Sequence, residues 1–525
     1  MSKKQKYIKL QKSRRTRGVI IAIVLFIILL PYAVCWWERH PAGFSVRSKP
    51  CPVPADSVRL LIDSTSFDAE KGERIFDQQI FDAVLKMIRD AKQTVYVDFF
   101  LWNYWTGSIP ESHRGLAQEL SESLIAKKKE SPETHILVMT DPVNRVYGGD
   151  EQPFYEAMRQ AGICIVFTAL DKMPESNFFY AAPARFYGPL ISRIPGIRQL
   201  LNIRLLKHPF EEGGQNISLL QFGRLLFFKA NHRKVVITDG PGGWQLLVTS
   251  FNPANGSSGH SNIGLQAGGE IAREALATEL QCVKWSAENP GNVLEPEPGA
   301  CALIIGVLSE RLSEPPLSSK ADEKMTAEWL TEECIARKAE ALLDACGTGD
   351  EVRLAMFYLA DRKLITAIRE AADGGADVRI ILDANRDAFG RVKNGVPNRP
   401  VAAELMEHAV REGVRLQIRW ADTHGEQFHP KVLSISNAEG KADLLCGSAN
   451  WTRRNLRDLN LEANLHLKNA PEVSRAFGEW FDLCWDNADG RSRTVPYEVF
   501  AVSGFERSRK ALMGRFQEAT GMSTF

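Results

Sequence analysis

The apolar positions form one long unbroken run near the start of the chain and then two successive series of short strand-like and helix-like stretches. Residues 18–37 carry no charged side chain and include the continuous apolar run 19–30. Twenty residues at the helical rise cover about 30 Å, the hydrocarbon thickness of a bilayer. Beyond a Pro-containing stretch at 49–56, a first series opens with a strand pattern at 58–62, and a second opens with the apolar stretch 302–307, which reads as another strand. The order then repeats. A buried-strand pattern at 94–100 matches 352–358, an amphipathic helical pattern at 115–129 matches 363–374, and a strand ending in aspartate at 135–141 matches 378–383. Strands alternating with helices predict a mainly parallel α/β sheet in each half. The expected fold class is therefore α/β, with two similar halves behind an N-terminal transmembrane helix.

Charge gives the apolar run a direction. Residues 1–17 hold eight Lys or Arg and no acidic residue, which keeps the tail cytoplasmic and exports the chain beyond the apolar run. Trp36 and Trp37 stand where an interfacial belt is expected. A cleaved signal peptide is the alternative, since the most apolar core spans only about a dozen residues. Ala33-Val34-Cys35 is a poor cleavage site and favours the anchor. The boundaries read as tail 1–17, anchor 18–37, linker 38–56, first half 57–289, Pro-rich linker 290–300, second half 301–488 and tail 489–525. In a Gram-negative cell the catalytic part would face the periplasm from the inner membrane. A net charge of +1 gives no global pull on nucleic acid or acidic lipid. Nine scattered cysteines form no zinc-like cluster, and no metal or other cofactor is expected.

The chemistry lies in a duplicated motif. His232-Arg233-Lys234 leads into an apolar run ending at Asp239, and His429-Pro430-Lys431 leads into another. Each run is followed by a small-residue Asn turn, Ser250-Phe251-Asn252 and Ser448-Ala449-Asn450. His-x-Lys spacing places both side chains on one face of a strand. Attack on a phosphodiester needs a nucleophile, a proton donor for the leaving alkoxide, and positive charge on the nonbridging oxygens. Two imidazoles, two lysines and two Asn amides supply all three without a metal.

On these motifs, residues 57–488 resemble the phospholipase D superfamily, whose defining element H-x-K-x4-D occurs twice. The turns that follow each motif look like those of bacterial members, among them cardiolipin synthase-like and phosphatidylserine synthase-like proteins. The resemblance implies two α-β-α sandwich halves forming one pseudo-two-fold catalytic unit. It also implies a covalent phosphohistidine resolved by water or an alcohol, with phospholipid and membrane as partners and no nucleic acid. The catalytic set it implies is His232, Lys234, Asp239, His429, Lys431 and Glu462, with Asn252, Asn450, Ser250, Ser448 and Asn262 around the phosphate.

The halves differ. Ser436 stands where the second motif should have its aspartate, so Asp239 is matched by no acid there. Glu462 lies twelve residues after Asn450, where the resemblance implies an acid that orients histidine; the first-half counterpart is Asn262. A carboxylate favours the imidazolium more than an amide does, which assigns His232 as nucleophile and His429 as general acid. Glu426, Gln427 and His424 are candidates to line the pocket. Asp141 precedes His232 by 91 residues and Asp383 precedes His429 by 46, so the first half carries about 45 extra residues near 171–223. Within them 173–210 has five Lys or Arg against one acidic residue. This reads as an insertion packed on the domain surface or as a patch that meets lipid headgroups. The competing activities are a superfamily nuclease outside the cytoplasm and a catalytically silent scaffold.

Overall fold

A computed structural model describes residues 3–36, 40–108, 113–313, 322–388 and 391–523. Two nine-stranded sheets carry the molecule. In the first, seven central strands run in the order Cys164–Phe167, His135–Thr140, Thr94–Phe99, Lys234–Gly240, Gly243–Thr249, Asn262–Gly268, Arg59–Asp68. The second repeats that order with Leu416–Ala421, Asp377–Asp383, Asp350–Met356, Lys431–Asn437, Ala442–Gly447, Ala463–Lys468, Asp322–Thr331. The two expected halves are thus present as α/β units of one topology. Only the first three strands of each series run parallel, and the others are antiparallel, so the sheets are mixed and not mainly parallel. Short hairpin returns after each His-x-Lys strand impose this, because a tight turn joins only antiparallel neighbours.

Three apolar cores fill the layers. One lies outside the first sheet, under the helices Ile80–Asp90 and Leu116–Glu130, and one outside the second, under Glu333–Asp344 and Arg362–Asp373. The third lies between the sheets and draws on both halves, with Tyr96, Val235 and Leu265 from one and Trp329, Leu444 and Phe477 from the other. Truncating a fully buried aromatic such as Phe477 to alanine costs about 3–5 kcal/mol, so this core welds the halves into one unit.

Register corrects the overlay of the two halves. Phe99 is paired with Lys234 and Met356 with Lys431, so 94–99 corresponds to 351–356, one residue away from the match expected from the sequence. The apolar stretch 302–307 is not a strand. It belongs to the helix Ala300–Arg311, which packs on the first sheet, and the second half opens with Asp322–Thr331. A short apolar run has no periodicity to separate a buried helix from a strand.

The expected linkers are parts of the sheets. Cys51–Val53 forms an edge of the second sheet against Asp322–Thr331, and Val293–Leu294 extends the first against Cys164–Phe167. Thr494–Pro496, in the expected tail, pairs with Leu416–Ala421. The eight cysteines among the described residues are free thiols. The N-terminal helix Lys3–Trp36 holds a window, Thr16–Val34, long and apolar enough to cross a membrane. Trp37 and the side chain of Trp36 lie outside the described residues.

Candidate active site

Each His-x-Lys begins at a strand edge on the seam between the halves. Lys234 and Lys431 are the first residues of their strands, and the histidines stand just ahead. Two backbone bridges cross the seam symmetrically. The His232 N–H donates to the Leu461 carbonyl (2.8 Å) and Leu461 N–H to that of Ala230 (3.1 Å). On the other side His429 N–H donates to Ser261 (3.0 Å) and Ser261 N–H to Gln427 (3.3 Å). The strand-ending aspartates clamp the same segments: Asp141 Oδ2 accepts from Asn231 N–H (2.7 Å) and Asp383 Oδ2 from Phe428 N–H (2.8 Å). Burial pushes their carboxyls up, Asp141 to about 7 and Asp383 to about 6, against these backbone bonds.

The bridges dictate which residue orients which histidine. Because residue 461 sits beside residues 230–232, the next residue, Glu462, reaches the first-half histidine: His232 Nδ1 and Glu462 Oε1 are 2.7 Å apart. Asn262 likewise reaches across to His429, Oδ1 to Nδ1 at 3.1 Å. The orienting residues are therefore exchanged between halves: the carboxylate sits on His232 and the amide on His429, so the sequence argument that a carboxylate marks His429 as the general acid no longer holds. The serines complete the exchange. The Ser448 hydroxyl donates to Glu462 Oε2 and accepts from Ala463 N–H (3.0 Å); Ser250 donates to Asn262 Oδ1 (3.1 Å) and accepts from Ile263 N–H (3.0 Å). With Asn455 Nδ2 also on Glu462, these buried groups are occupied in holding the histidines. Ser250, Ser448 and Asn262, expected around the phosphate, thus bond to the groups that orient the histidines.

The lysines are equally symmetric. Lys234 Nζ donates to the His232 carbonyl and Lys431 Nζ to that of His429, each at 2.7 Å. Each ammonium lies over a phenylalanine, Lys234 at 5.2 Å from the Phe100 ring and Lys431 at 5.1 Å from Phe357. The same rings pack on the histidines, Phe100 on His232 and Phe357 on His429, both with centroids 4.8 Å apart. Asn252 Oδ1 accepts from Leu101 N–H (3.2 Å), and Asn450 Oδ1 is buried with no hydrogen-bond partner among the described residues.

Asp239 is elsewhere. It lies five residues along the strand from Lys234, roughly 16 Å at the strand rise. Its carboxylate accepts from Gln93 N–H (2.9 Å) and Thr94 N–H (2.7 Å) and pairs with Arg311 (2.9 Å). It fixes the start of the strand Thr94–Phe99 and touches no part of the histidine pair, so its place in the catalytic set is corrected to a structural one. The equivalent turn in the second half uses Asp350, bonded to Asn437 and Lys441, and Ser436 needs no acid.

Burial dominates the electrostatics. It drives His232 down to about 4 against the pull of Glu462, with Lys234 and Lys431 adding to the fall. His429 is held well below the usual imidazole range by burial and then by the positive charges of Lys431, His260, Lys234 and His232. Lys234 is lowered to about 7 by burial, opposed by Glu462, Asp98 and Asp141. Positive groups therefore crowd this buried site, and an anion between the lysines would offset them.

Several site groups escaped the sequence reading. His260 lies 5.9 Å from His429, ring to ring, and 3.4 Å from Glu426, which also pairs with Arg74 across the seam. Lys393 lies over Phe357 at 5.5 Å. Glu426 thus stands beside His260, whereas His424 stacks on Phe67 and pairs with Asp422. Arg233, between the first His and Lys, is fully buried and pairs with Glu332 (2.8 Å) and Glu279 (3.3 Å), tying the motif to the second half. Pro430 in the second motif gave no hint of this. Among the described residues no group of three or more His, Cys, Asp or Glu could hold a metal.

The family model described as the cardiolipin synthase phospholipase D-like domain matches residues 341–485. The solved phosphatidylserine synthase of Haemophilus influenzae Rd KW20 is similar in fold, with a TM-score of 0.53 at 12% identity over 90% of this chain and 95% of that one. Two others align less well. Polyphosphate kinase from Porphyromonas gingivalis gives 0.42 at 13% identity, over 88% of this chain and 53% of its own. The phospholipase D family member Nuc from Salmonella typhimurium gives 0.24 at 18% identity, over 30% and 95%. A search of the curated proteins finds no match.

Proposed function

We propose that this chain, whose residues 341–485 match the cardiolipin synthase phospholipase D-like domain, is a membrane-anchored enzyme that cleaves or transfers phospholipid phosphodiesters through a phosphohistidine on His232. The crosswise pairing carries the reading. With Glu462 on Nδ1, the His232 imidazole keeps its proton there and turns an Nε2 lone pair to phosphorus. The same carboxylate stabilises the positive ring that forms when Nε2 bonds to phosphorus. His429 faces a neutral amide. It takes up a proton once a phosphate anion offsets the field of Lys234 and Lys431.

In the first step the N–P bond forms as the phosphorus–oxygen bond to the leaving alcohol breaks, and that oxygen receives the His429 proton. In the second, water or an alcohol gives its proton to His429 and attacks phosphorus, and the N–P bond breaks. Lys234, Lys431, Asn252 and Asn450 bind the nonbridging oxygens. The N-terminal helix would span the bilayer with its basic end in the cytoplasm and the folded body outside. The test is product analysis of the full-length protein with phosphatidylglycerol, with and without glycerol. Phosphatidic acid marks a hydrolase and cardiolipin a transferase. Nucleotide release from single-stranded DNA with no lipid turnover would sink the lipid reading.

A further inference from the structure

The insertion that distinguishes the first half contains an unusual density of exposed apolar side chains. Phe179, Leu190, Ile194, Leu200 and Leu205 are each half or more exposed, on a segment of about thirty residues. In a soluble body such a concentration marks a contact surface. The segment is built on the helix Phe178–Ser192, the short helix Ile197–Leu201 and the strand Arg204–Leu206.

We infer that residues 178–207 form a second membrane contact, an interfacial element that lies in the leaflet facing the folded body and holds the active site against the headgroup layer. The inference rests on the N-terminal helix crossing the bilayer. The helix Phe178–Ser192 packs directly on that span: Tyr32 Oη donates to the Phe179 carbonyl (3.2 Å), and Tyr187 Oη donates to the carbonyl of Ile27. Ile27 stands seven residues inside the end of the apolar window at Val34, about 10 Å along the helix. That is the depth to which an amphipathic interfacial helix sinks its apolar face.

Charge fits the same place. Glu175, the acidic residue within 173–210, is paired through Oε1 with Lys229 (2.7 Å) and Arg185 (3.1 Å). Arg193, Arg198, Arg204 and Lys207 therefore leave the stretch with surplus positive charge, which suits lipid phosphates, and their long stems can lie along acyl chains while the heads reach water.

Both ends of the element are tied to the active site. Asn177 Nδ2 donates to the Leu226 carbonyl (2.9 Å), Ser176 Oγ to that of Phe227 (3.0 Å) and Lys229 Nζ to Glu175. Three residues after Lys229 the chain reaches His232. At the other end Phe210 stacks on Trp105 (5.4 Å), whose carbonyl accepts from Gly256 in the turn that follows Asn252. A merely solvated insertion would need neither the apolar outer face nor the bonds to the spanning helix.

The test reconstitutes the full-length protein in phosphatidylglycerol–phosphatidylethanolamine vesicles containing a phosphatidylcholine with a diazirine in its acyl chain, followed by peptide mapping after illumination. Adducts are expected in both Lys3–Trp36 and 178–207. Adducts confined to the N-terminal helix would overturn the inference, and adducts in neither would remove the anchor as well. A variant carrying Phe179→Ser, Leu190→Ser, Leu200→Ser and Leu205→Ser changes only exposed side chains. Its KM on vesicles is expected to rise roughly tenfold or more, from the apolar area withdrawn from the bilayer, with kinetics on water-soluble dibutyroyl phosphatidylglycerol unchanged. An unchanged KM on vesicles would also overturn it. Adducts in both segments without any lipid turnover would uphold the membrane contact and remove only the proposed reaction.

Discussion

Replacing Glu462 by glutamine tests the exchange of orienting residues between the halves. The substitution keeps size and one acceptor but removes the charge 2.7 Å from His232 Nδ1. Glu462 is fully buried and also receives Ser448 and Asn455, so the new amide must direct its NH2 towards one of three groups that now donate to a carboxylate. A hydrogen bond to a charged group contributes about 1.5–3 kcal/mol. His232 becomes cationic only as the N–P bond forms, so most of that loss falls on the transition state. A loss of about 2–3 kcal/mol corresponds to a fall in kcat of roughly 30–150-fold. Single-turnover formation of the phosphoenzyme, with the thermal midpoint measured alongside, separates chemistry from folding. A kcat within threefold of the parent would refute the reasoning, as would an equal loss confined to the second step.

The same contacts have other consequences. Asp239→Ala should cost about 2–4 kcal/mol of stability, through the freed amides of Gln93 and Thr94 and the unpaired Arg311, with kcat per folded molecule intact. A tenfold loss of kcat with an unchanged melt would return Asp239 to the catalytic set. Lys234, lowered to about 7, loses its proton in the free enzyme as pH rises through that value, so kcat/KM should fall on an alkaline limb near 7. Bound phosphate favours the charged lysine and should move the kcat limb upward; a kcat/KM profile flat to pH 9 would contradict this. Asp141 is raised to about 7, so its contribution to stability is complete below the unfolded carboxyl pKa and is lost as pH rises through 7. Asp141→Asn should flatten that decline in melts recorded between pH 4 and 7.

The residues proposed to carry the chemistry were legible because their spacing is local. His-x-Lys, the strand-ending Asp141 and Asp383, and the turns at Asn252 and Asn450 each follow from strand periodicity, and the duplication made them conspicuous. The exchange of Glu462 and Asn262 was not legible, because it depends on how residue 461 pairs with residues 230–232 across the seam. Asp239 belonged to the motif by sequence distance, but an extended strand carries it to the opposite end of the sheet. Residues 302–307 failed for another reason: the helix buries Ile304 and Ile305, but its exposed face carries apolar Leu303 as well, so no polar side marks the period. The linker at 49–56 concealed an edge strand, since Pro52 is tolerated where only one neighbour must be hydrogen-bonded.

The most direct measurement is peptide mapping of the covalent intermediate formed by the His429→Asn variant with phosphatidylglycerol, where loss of the proton carrier should slow its breakdown. The account predicts a phosphorus adduct on His232, absent from the His232→Asn variant. An adduct on His429 in the His232→Asn protein, with none on His232 in its counterpart, would contradict it.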